Sequence, residues 1–258
     1  MSDAFINIAK KFIPNKIRIC IKKILWKIFG LKWKLKSGIN IKVASYAEWV
    51  IYNDIFVDGE YNLPIEKSLS VASNKPLILL DLGANVGYFT LKAADFILTK
   101  NPNADFLITL VEGSPSNYRE LESRLTKQPV LANKIRLVRG LIGKLEGKAK
   151  ICEIDFHAKN AVCNNGKSKG VIVPFVNLNS IFSENQEVDL LKCDIEGFEQ
   201  IFIENHKKLL KKVKFVVFEL HSGKCDIEHC IHLLGEAGFL NHTKLDGGLF
   251  AEIHFFWK

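Results

Sequence analysis

From residue 75 onward, short aliphatic or β-branched runs alternate with stretches whose apolar residues recur every three to four positions. That alternation is the mark of strand–helix–strand units and predicts a mostly parallel sheet. Strands are predicted at 77–81 (LILLD), 106–112 (FLITLVE), 135–140 (IRLVRG), 188–194 (VDLLKCD) and 215–221 (FVVFELH). A helix follows Gly87 and runs to about Thr99, where Asn101-Pro102-Asn103 ends it. A second starts at Ser114, with Pro115 in the first turn where its missing N–H costs nothing, and continues to about Lys127. A third spans about 226–237. The runs 240–245 and 250–257 then flank Asp246-Gly247-Gly248, a hairpin signal. The predicted fold is α/β and Rossmann-like: a mostly parallel seven-stranded sheet ending in an antiparallel hairpin.

Between 141 and 187 the pattern turns irregular. Gly143, Gly147, Gly166 and Gly170 punctuate short extended pieces at 149–154 and 171–176. This reads as an insertion that carries substrate specificity. Upstream, Ile17, Ile21, Ile24 and Ile28 fall at helical spacing among lysines, which predicts a basic amphipathic helix in an N-terminal extension, 1–37, ahead of a main domain, 38–258.

Charge sharpens this division. Residues 1–36 hold ten of the 36 basic residues and one of the 28 acidic ones, a net +9, so the remaining 222 residues carry −1. The extension either docks residues 10–36 on an anionic membrane surface, helped by Trp26, Phe29 and Trp33, or packs its isoleucines on the domain and solvates its lysines. One short basic segment argues weakly for nucleic acid. No stretch reaches the roughly 20 uncharged apolar residues of a membrane span. Six cysteines without C-x-x-C spacing suit reduced thiols in a cytoplasmic protein. Cys225, His229 and His232 share one predicted helical face with Cys230 adjacent, but a structural zinc site draws ligands from two segments, so core or solvated side chains are expected there and no metal is assigned.

The candidate chemistry begins at the turn Asp81-Leu82-Gly83-Ala84-Asn85-Val86-Gly87, between the first parallel strand and its helix, where doubly wound folds bind nucleotides. Dinucleotide loops use G-x-G-x-x-G, whose middle glycine lets backbone approach a pyrophosphate. Here Asn85 stands in the turn and Asp81 closes the strand. An acid there repels a pyrophosphate and suits the ammonium and sulfonium of S-adenosylmethionine. Glu112 ends the next strand, where a carboxylate can accept from ribose hydroxyls.

Two later strands end in acids, in Lys192-Cys193-Asp194-Ile195-Glu196-Gly197-Phe198-Glu199 and in Phe218-Glu219-Leu220-His221. A parallel sheet brings Asp194, Glu196, Glu219 and His221 to the same edge as Asp81 and Glu112, as candidate catalytic residues. Methyl transfer to a hydroxyl needs a base, and clustered carboxylates raise one another's pKa. His221 is the alternative base. The same cluster has the composition of a divalent-cation site. Lys192 is expected to be solvated at an edge, and Glu199 to cap the following helix.

The series DLGANVGYFT, VEGSPSNYREL, GLIGKLEG, VDLLKCDIEGFE and FVVFELH, over about residues 75–221, resembles the FkbM family of methyltransferases. The resemblance implies a class I methyltransferase fold with S-adenosyl-L-methionine as cofactor, and O-methylation of a sugar, glycan or natural-product hydroxyl. It completes a cofactor set of Tyr61, Asp81, Gly83, Ala84, Asn85, Gly87, Phe89, Glu112, Gly113, Asn117, Leu141 and Asp194. Gly113 and Ser114 stand where the family has Pro and a small residue, and Gly140-Leu141 replaces a small-residue pair. Tyr61, after Glu60, matches a family tyrosine that covers the cofactor. The competing readings are an NAD(P)-dependent oxidoreductase on the same fold and a non-catalytic, membrane-associated nucleotide-binding adaptor.

Overall fold

The predicted strands and the helices between them wrap one central sheet in the computed structural model, which describes residues 24, 26, 30–71, 76–152, 161–162, 170–183 and 185–258. In chain order the elements are β1 (Leu31–Lys34), β2 (Asn40–Val43), α1 (Tyr46–Tyr52), α2 (Asn62–Ser70), β3 (Leu77–Leu82), α3 (Tyr88–Lys100), β4 (Phe106–Glu112), α4 (Pro115–Leu125) and β5 (Ile135–Arg139). There follow β6 (Lys148–Cys152), β7 (Ala161–Val162), β8 (Val171–Pro174), β9 (Val188–Cys193), α5 (Glu199–Asn205), α6 (Lys207–Leu210), β10 (Val213–His221), α7 (Ile227–Glu236), β11 (Asn241–Gly247) and β12 (Ala251–Trp257).

Seven strands lie in the order β11-β12-β10-β9-β3-β4-β5. The pairs among β5, β4, β3, β9 and β10 are parallel, and β12 runs antiparallel to both β10 and β11. The expected seven-stranded sheet with a terminal hairpin is therefore present. Successive side chains of a strand face opposite sides of a sheet. Leu79, Leu190, Val217 and Phe255 accordingly enter one core, while Leu80, Leu191, Val216 and Phe256 enter the other. From β3 the chain proceeds to β4 and β5 on one side and returns to β9 and β10 on the other. This reversal opens a crevice at the carboxyl ends of β3 and β9.

Local chemistry fixes the ends that face the crevice. Gly87, at φ +92°, starts α3, and Ser114 caps α4 by accepting from the Asn117 amide with Pro115 in the first turn. Ahead of the sheet, β1 and β2 form a hairpin, so residues 31–34 of the expected helical extension are strand and cross the division drawn at residue 37. Trp26 and Trp33 pack against the domain core. The rest of the basic helix, and with it the membrane-docking expectation, lies outside the described residues. Ser45 caps α1, which continues into a π-helical turn, Asn53–Asp58. Among the described residues no helix is long and apolar enough to cross a membrane.

The 141–187 region folds in part into a three-stranded antiparallel sheet, β7-β6-β8, with an isolated bridge between Leu141, just after β5, and Phe175, just after β8. Cys152 on β6 is disulfide-bonded, while Cys193, Cys225 and Cys230 are free. The expectation of uniformly reduced thiols does not hold at Cys152.

Candidate active site

Two clefts open at the crevice and share Asn85, Asp194 and Glu196. The first, of about 670 Å³, is walled by the loop after β3, the tip of β4 and the small sheet, with Ile142, Ile151, Phe175 and Phe198 as its apolar sides. Its floor is fixed by backbone. Gly83 has φ +71°, and a Cβ there would lie 1.7 Å from the Asp194 carbonyl oxygen, so a side chain cannot be accommodated without moving β9 away from β3. Asn85 is also left-handed, at φ +51°. Its amide donates to Glu112 Oε2 at 2.7 Å and that of Ser114 to Glu112 Oε1 at 2.7 Å. Each Glu112 oxygen keeps a lone pair for a ligand. Burial raises the Glu112 carboxyl to about 7, against the pull of those two amides. Asn117 Nδ2 donates to Asn85 Oδ1 at 3.3 Å.

Behind this floor sits a buried ion cluster. Lys192 is 5% exposed. Its Nζ donates to the Gly83 carbonyl at 2.9 Å and lies 3.4 Å from Asp194 Oδ2 and 3.6 Å from Asp81 Oδ1. Burial disfavours its charge, but Asp194 and Asp81 outweigh that and raise its pKa. The expectation of a solvated edge lysine is thus corrected: β9 is buried along its whole length, and Lys192 is the cation that lets two acids approach each other. Asp81 is fully buried, accepts from Thr90 Oγ1 at 2.7 Å, and lines neither cleft. Among the described residues its Oδ1 has no hydrogen-bond partner. Burial raises its pKa against the pull of Lys192. Asp81 and Gly87 therefore shape the loop from behind, Gly87 by lying against Leu121.

The second cleft, of about 1090 Å³, is lined from four distant stretches: Ile51 to Tyr61, the loop after β3, the tips of β9 and β10, and the terminal hairpin. Tyr61, Ala84 and Phe89 lie here, with the Tyr61 ring edge-on to Phe89 at 5.2 Å. Of the described residues of 141–187, Leu141, Ile142, Ile151 and Phe175 line the first cleft and none lines the second.

Where the clefts meet, the predicted acids converge. His221 Nδ1 is 3.0 Å from Glu199 Oε1, and its Nε2 is 3.5 Å from Glu196 Oε2 and 4.0 Å from Glu219 Oε1. Glu199 also accepts from the amides of Ile195 and Gly197, closing the turn in which Glu196 takes φ +54°. The expected helix cap is thus corrected: among the described residues no side chain caps α5, and Glu199 instead anchors the imidazole and the preceding turn. The Asp194 charge, then burial, pushes Glu219 up to about 8. Burial acts to lower His221, but the hydrogen bond and charge of Glu199, with Asp194 and Glu196, raise it to about 9. Asp194, Glu219 and His221 offer ligand atoms within 4.8 Å of one another. On α7, His229 and His232 approach Glu204 and Glu236 at the surface, while Cys230 is buried.

The methyltransferase FkbM domain family matches residues 81–240. The chain belongs to the FkbM methyltransferase family. Among solved structures it is similar to the methyltransferase FkbM of Methylobacillus flagellatus KT (11% identity, TM-score 0.51), with 83% of this chain and 62% of that one covered. It is also similar to the N-terminal domain of human METTL16 in complex with SAH (12% identity, TM-score 0.48, 97% and 96% covered). A third is precorrin-6y C5,15-methyltransferase from Geobacter metallireducens GS-15 (13%, TM-score 0.44, 78% and 88%). A search of curated proteins finds no sequence match.

This FkbM methyltransferase is an S-adenosylmethionine-dependent enzyme with a class I Rossmann-like fold, and the first cleft is chemically suited to that cofactor. Among the described residues its lining contains no lysine, arginine or histidine but includes Glu112, Asp194 and Glu196, which suits an uncharged nucleoside and opposes the pyrophosphate of a dinucleotide. Sequence reasoning missed the apolar wall of Phe175 and Phe198 and the outer acids Asp54 and Asp246. No motif marks them, because they come together through tertiary structure alone.

Proposed function

We propose that this FkbM methyltransferase methylates a hydroxyl group of a sugar-like or natural-product acceptor, held in the second cleft. The observation that carries this is the Glu219–His221–Asp194 cluster: Asp194 lines both clefts, Glu219 lines the second, and the pKa of Glu219 is raised to about 8 and that of His221 to about 9. In this reading Glu112 accepts from the ribose hydroxyls, Leu141, Ile151, Phe175 and Phe198 flank the base, and Asn85 and Asp194 face the methionine end. S-adenosylmethionine supplies, when bound, a methyl group on a good leaving group.

The chain's own residues do the rest. Carboxylates accept hydrogen bonds from acceptor hydroxyls and fix one of them in line, which is where most of the rate of such a displacement arises. An oxygen of the Glu219 carboxylate takes the hydroxyl proton, and His221, held at Nδ1 by Glu199, stabilises the ionised carboxylate until it does so. Lys192 ties Asp194 to the Gly83 carbonyl, so that the loop and the acid move together.

The test is transfer of a deuterated methyl group from labelled S-adenosylmethionine to a panel of glycans and polyols, with the methylated atom located by NMR. Label on oxygen in wild type and its loss in Glu219→Gln, with S-adenosylhomocysteine binding retained, is the expected result. Label on nitrogen or carbon refutes the reading.

A further inference from the structure

Three carboxylates of the second cleft are left over by this chemistry. Asp194 has Lys192, Glu196 has Lys224 at 3.4 Å, and Glu219 faces His221. Asp54, Glu60 and Asp246, at the outer end, make no ion pair among the described residues. They instead face one another: burial, then Asp54 and Asp246, raises Glu60 to about 7, and burial, then Asp58 and Asp246, raises Asp54. Like charges gathered at a half-buried surface are costly unless a ligand brings the opposite sign.

A second observation points to a ligand independently. Tyr61 is 3% exposed and lines this cleft, yet its hydroxyl makes no hydrogen bond among the described residues. The carboxylates of Glu219, Asp194 and Glu60 are close enough to add to the effect of burial in raising its pKa. The ring is buried while the hydroxyl is not among the enclosed unpaired atoms, so the phenol presents its polar end to the cleft, where a ligand would meet it. At the rim, Leu249 and Phe250 are 91% and 80% exposed beside Asp246, which offers an aromatic face to a sugar ring or a cation.

A metal ion suits the outer trio poorly. Among the described residues, carboxylate and imidazole donors converge on one point at Asp194, Glu219 and His221, where Lys192 already supplies positive charge, and not at Asp54, Glu60 and Asp246. Dispersed acids match charge dispersed over a molecule. We propose that the acceptor is an amine-bearing polyol, such as an amino sugar, whose ammonium group is read by Asp54, Glu60 and Asp246 while Tyr61 binds a polar group nearer the reacting hydroxyl. The position of that hydroxyl rests on the function proposed above; the charge of the acceptor does not.

The experiment compares two tetrasaccharides by calorimetry on the full chain loaded with S-adenosylhomocysteine: tetrameric glucosamine with its amines charged, and the neutral N-acetylated tetramer. The amine form is expected to bind at least about tenfold tighter at low salt, with the advantage shrinking as salt screens it. Asp54→Asn combined with Asp246→Asn is expected to remove that advantage, with S-adenosylhomocysteine affinity checking that the fold is intact. Equal affinities, no binding of the charged tetramer, or an advantage that survives the double substitution overturns the proposal. So does Mn²⁺ binding that the double substitution abolishes, since the trio would then be a metal site. Methyl transfer to a nitrogen of the bound tetramer would instead defeat the hydroxyl reading and leave this one standing.

Discussion

Glu48 and Glu219 are both held among charged groups on the same side of the molecule as α3, and they have opposite fates. Glu48 is 4% exposed, and its Oε2 accepts from Arg124 Nη2 at 2.8 Å, from the Tyr88 hydroxyl at 3.0 Å and from the Ala44 amide at 3.1 Å. Glu219 has an imidazole at 4.0 Å, and its strongest electrostatic influence is another acid, Asp194. The first carboxylate has a permanent cation and three donors on one oxygen, so it is part of the scaffold that joins the N-terminal hairpin to α4. The second is left short of positive charge, so its pKa rises to about 8 and, once deprotonated, it is a far stronger base than an ordinary carboxylate. Completeness of partnering, rather than burial or residue type, separates the structural acid from the reactive one.

The contrast breaks first at Arg124. Arg124→Ala leaves Glu48 as a buried, uncompensated charge and also removes the 2.7 Å bond from Nη1 to the Lys42 carbonyl. Removing one partner of a buried pair costs roughly 3–5 kcal/mol, measurable as a lower midpoint in urea. A loss below about 1 kcal/mol would show that the pair is not scaffold. Glu219→Gln should do the reverse. Turnover is expected to fall by about 10²- to 10⁴-fold, the range for a general base, while the urea midpoint holds or rises because a like charge has gone.

The pH profile sharpens the same point. Glu219 and His221 titrate together, the first proton leaving at about 8 and the second at about 9. A base works when deprotonated, so kcat should climb about tenfold per pH unit below the first step and level off above it. A kcat that is flat from pH 6 to 9 excludes this pair as the base.

How much of this was legible beforehand follows from sequence distance. The first cleft is written in one unit, because Gly83, Asn85, Glu112 and Asn117 lie on adjacent parallel strands and the turns after them, so strand order alone brings them together. The acids at the tips of β9 and β10 were legible for the same reason. Lys192 was misjudged because a lysine in a fully buried strand is tolerable only with two acids beside it, and one of those, Asp81, is 111 residues away. Asp54, Glu60 and Asp246 come from a π-helical turn, a loop and a hairpin whose convergence no periodicity encodes.

Glu112 supplies the next effect in size. In Glu112→Gln one acceptor oxygen becomes an NH₂ that must face the amide of Asn85 or Ser114, donor against donor. With a charge-assisted bond worth about 1.5–3 kcal/mol, S-adenosylhomocysteine affinity should fall by roughly 10- to 100-fold. In wild type the ionised form is the better acceptor, so affinity should also weaken as pH drops below about 7.

The smallest effect tests whether scaffold and base are separable. Ser45 caps α1 by accepting from the Glu48 amide at 3.1 Å, so it fixes the turn that presents Glu48 to Arg124. Ser45→Ala removes that acceptor and should cost about 1 kcal/mol. It touches neither cleft, so kcat should remain within about twofold of wild type. Combined with Glu219→Gln, the two changes should add, stability following the first and turnover the second, because independent sites add and coupled ones do not. If Ser45→Ala instead lowers turnover of wild type yet has no effect on that of Glu219→Gln, the cap acts through the base. The π-helical turn that carries Asp54 would then be the element linking them, since it continues directly from α1 into the acceptor cleft.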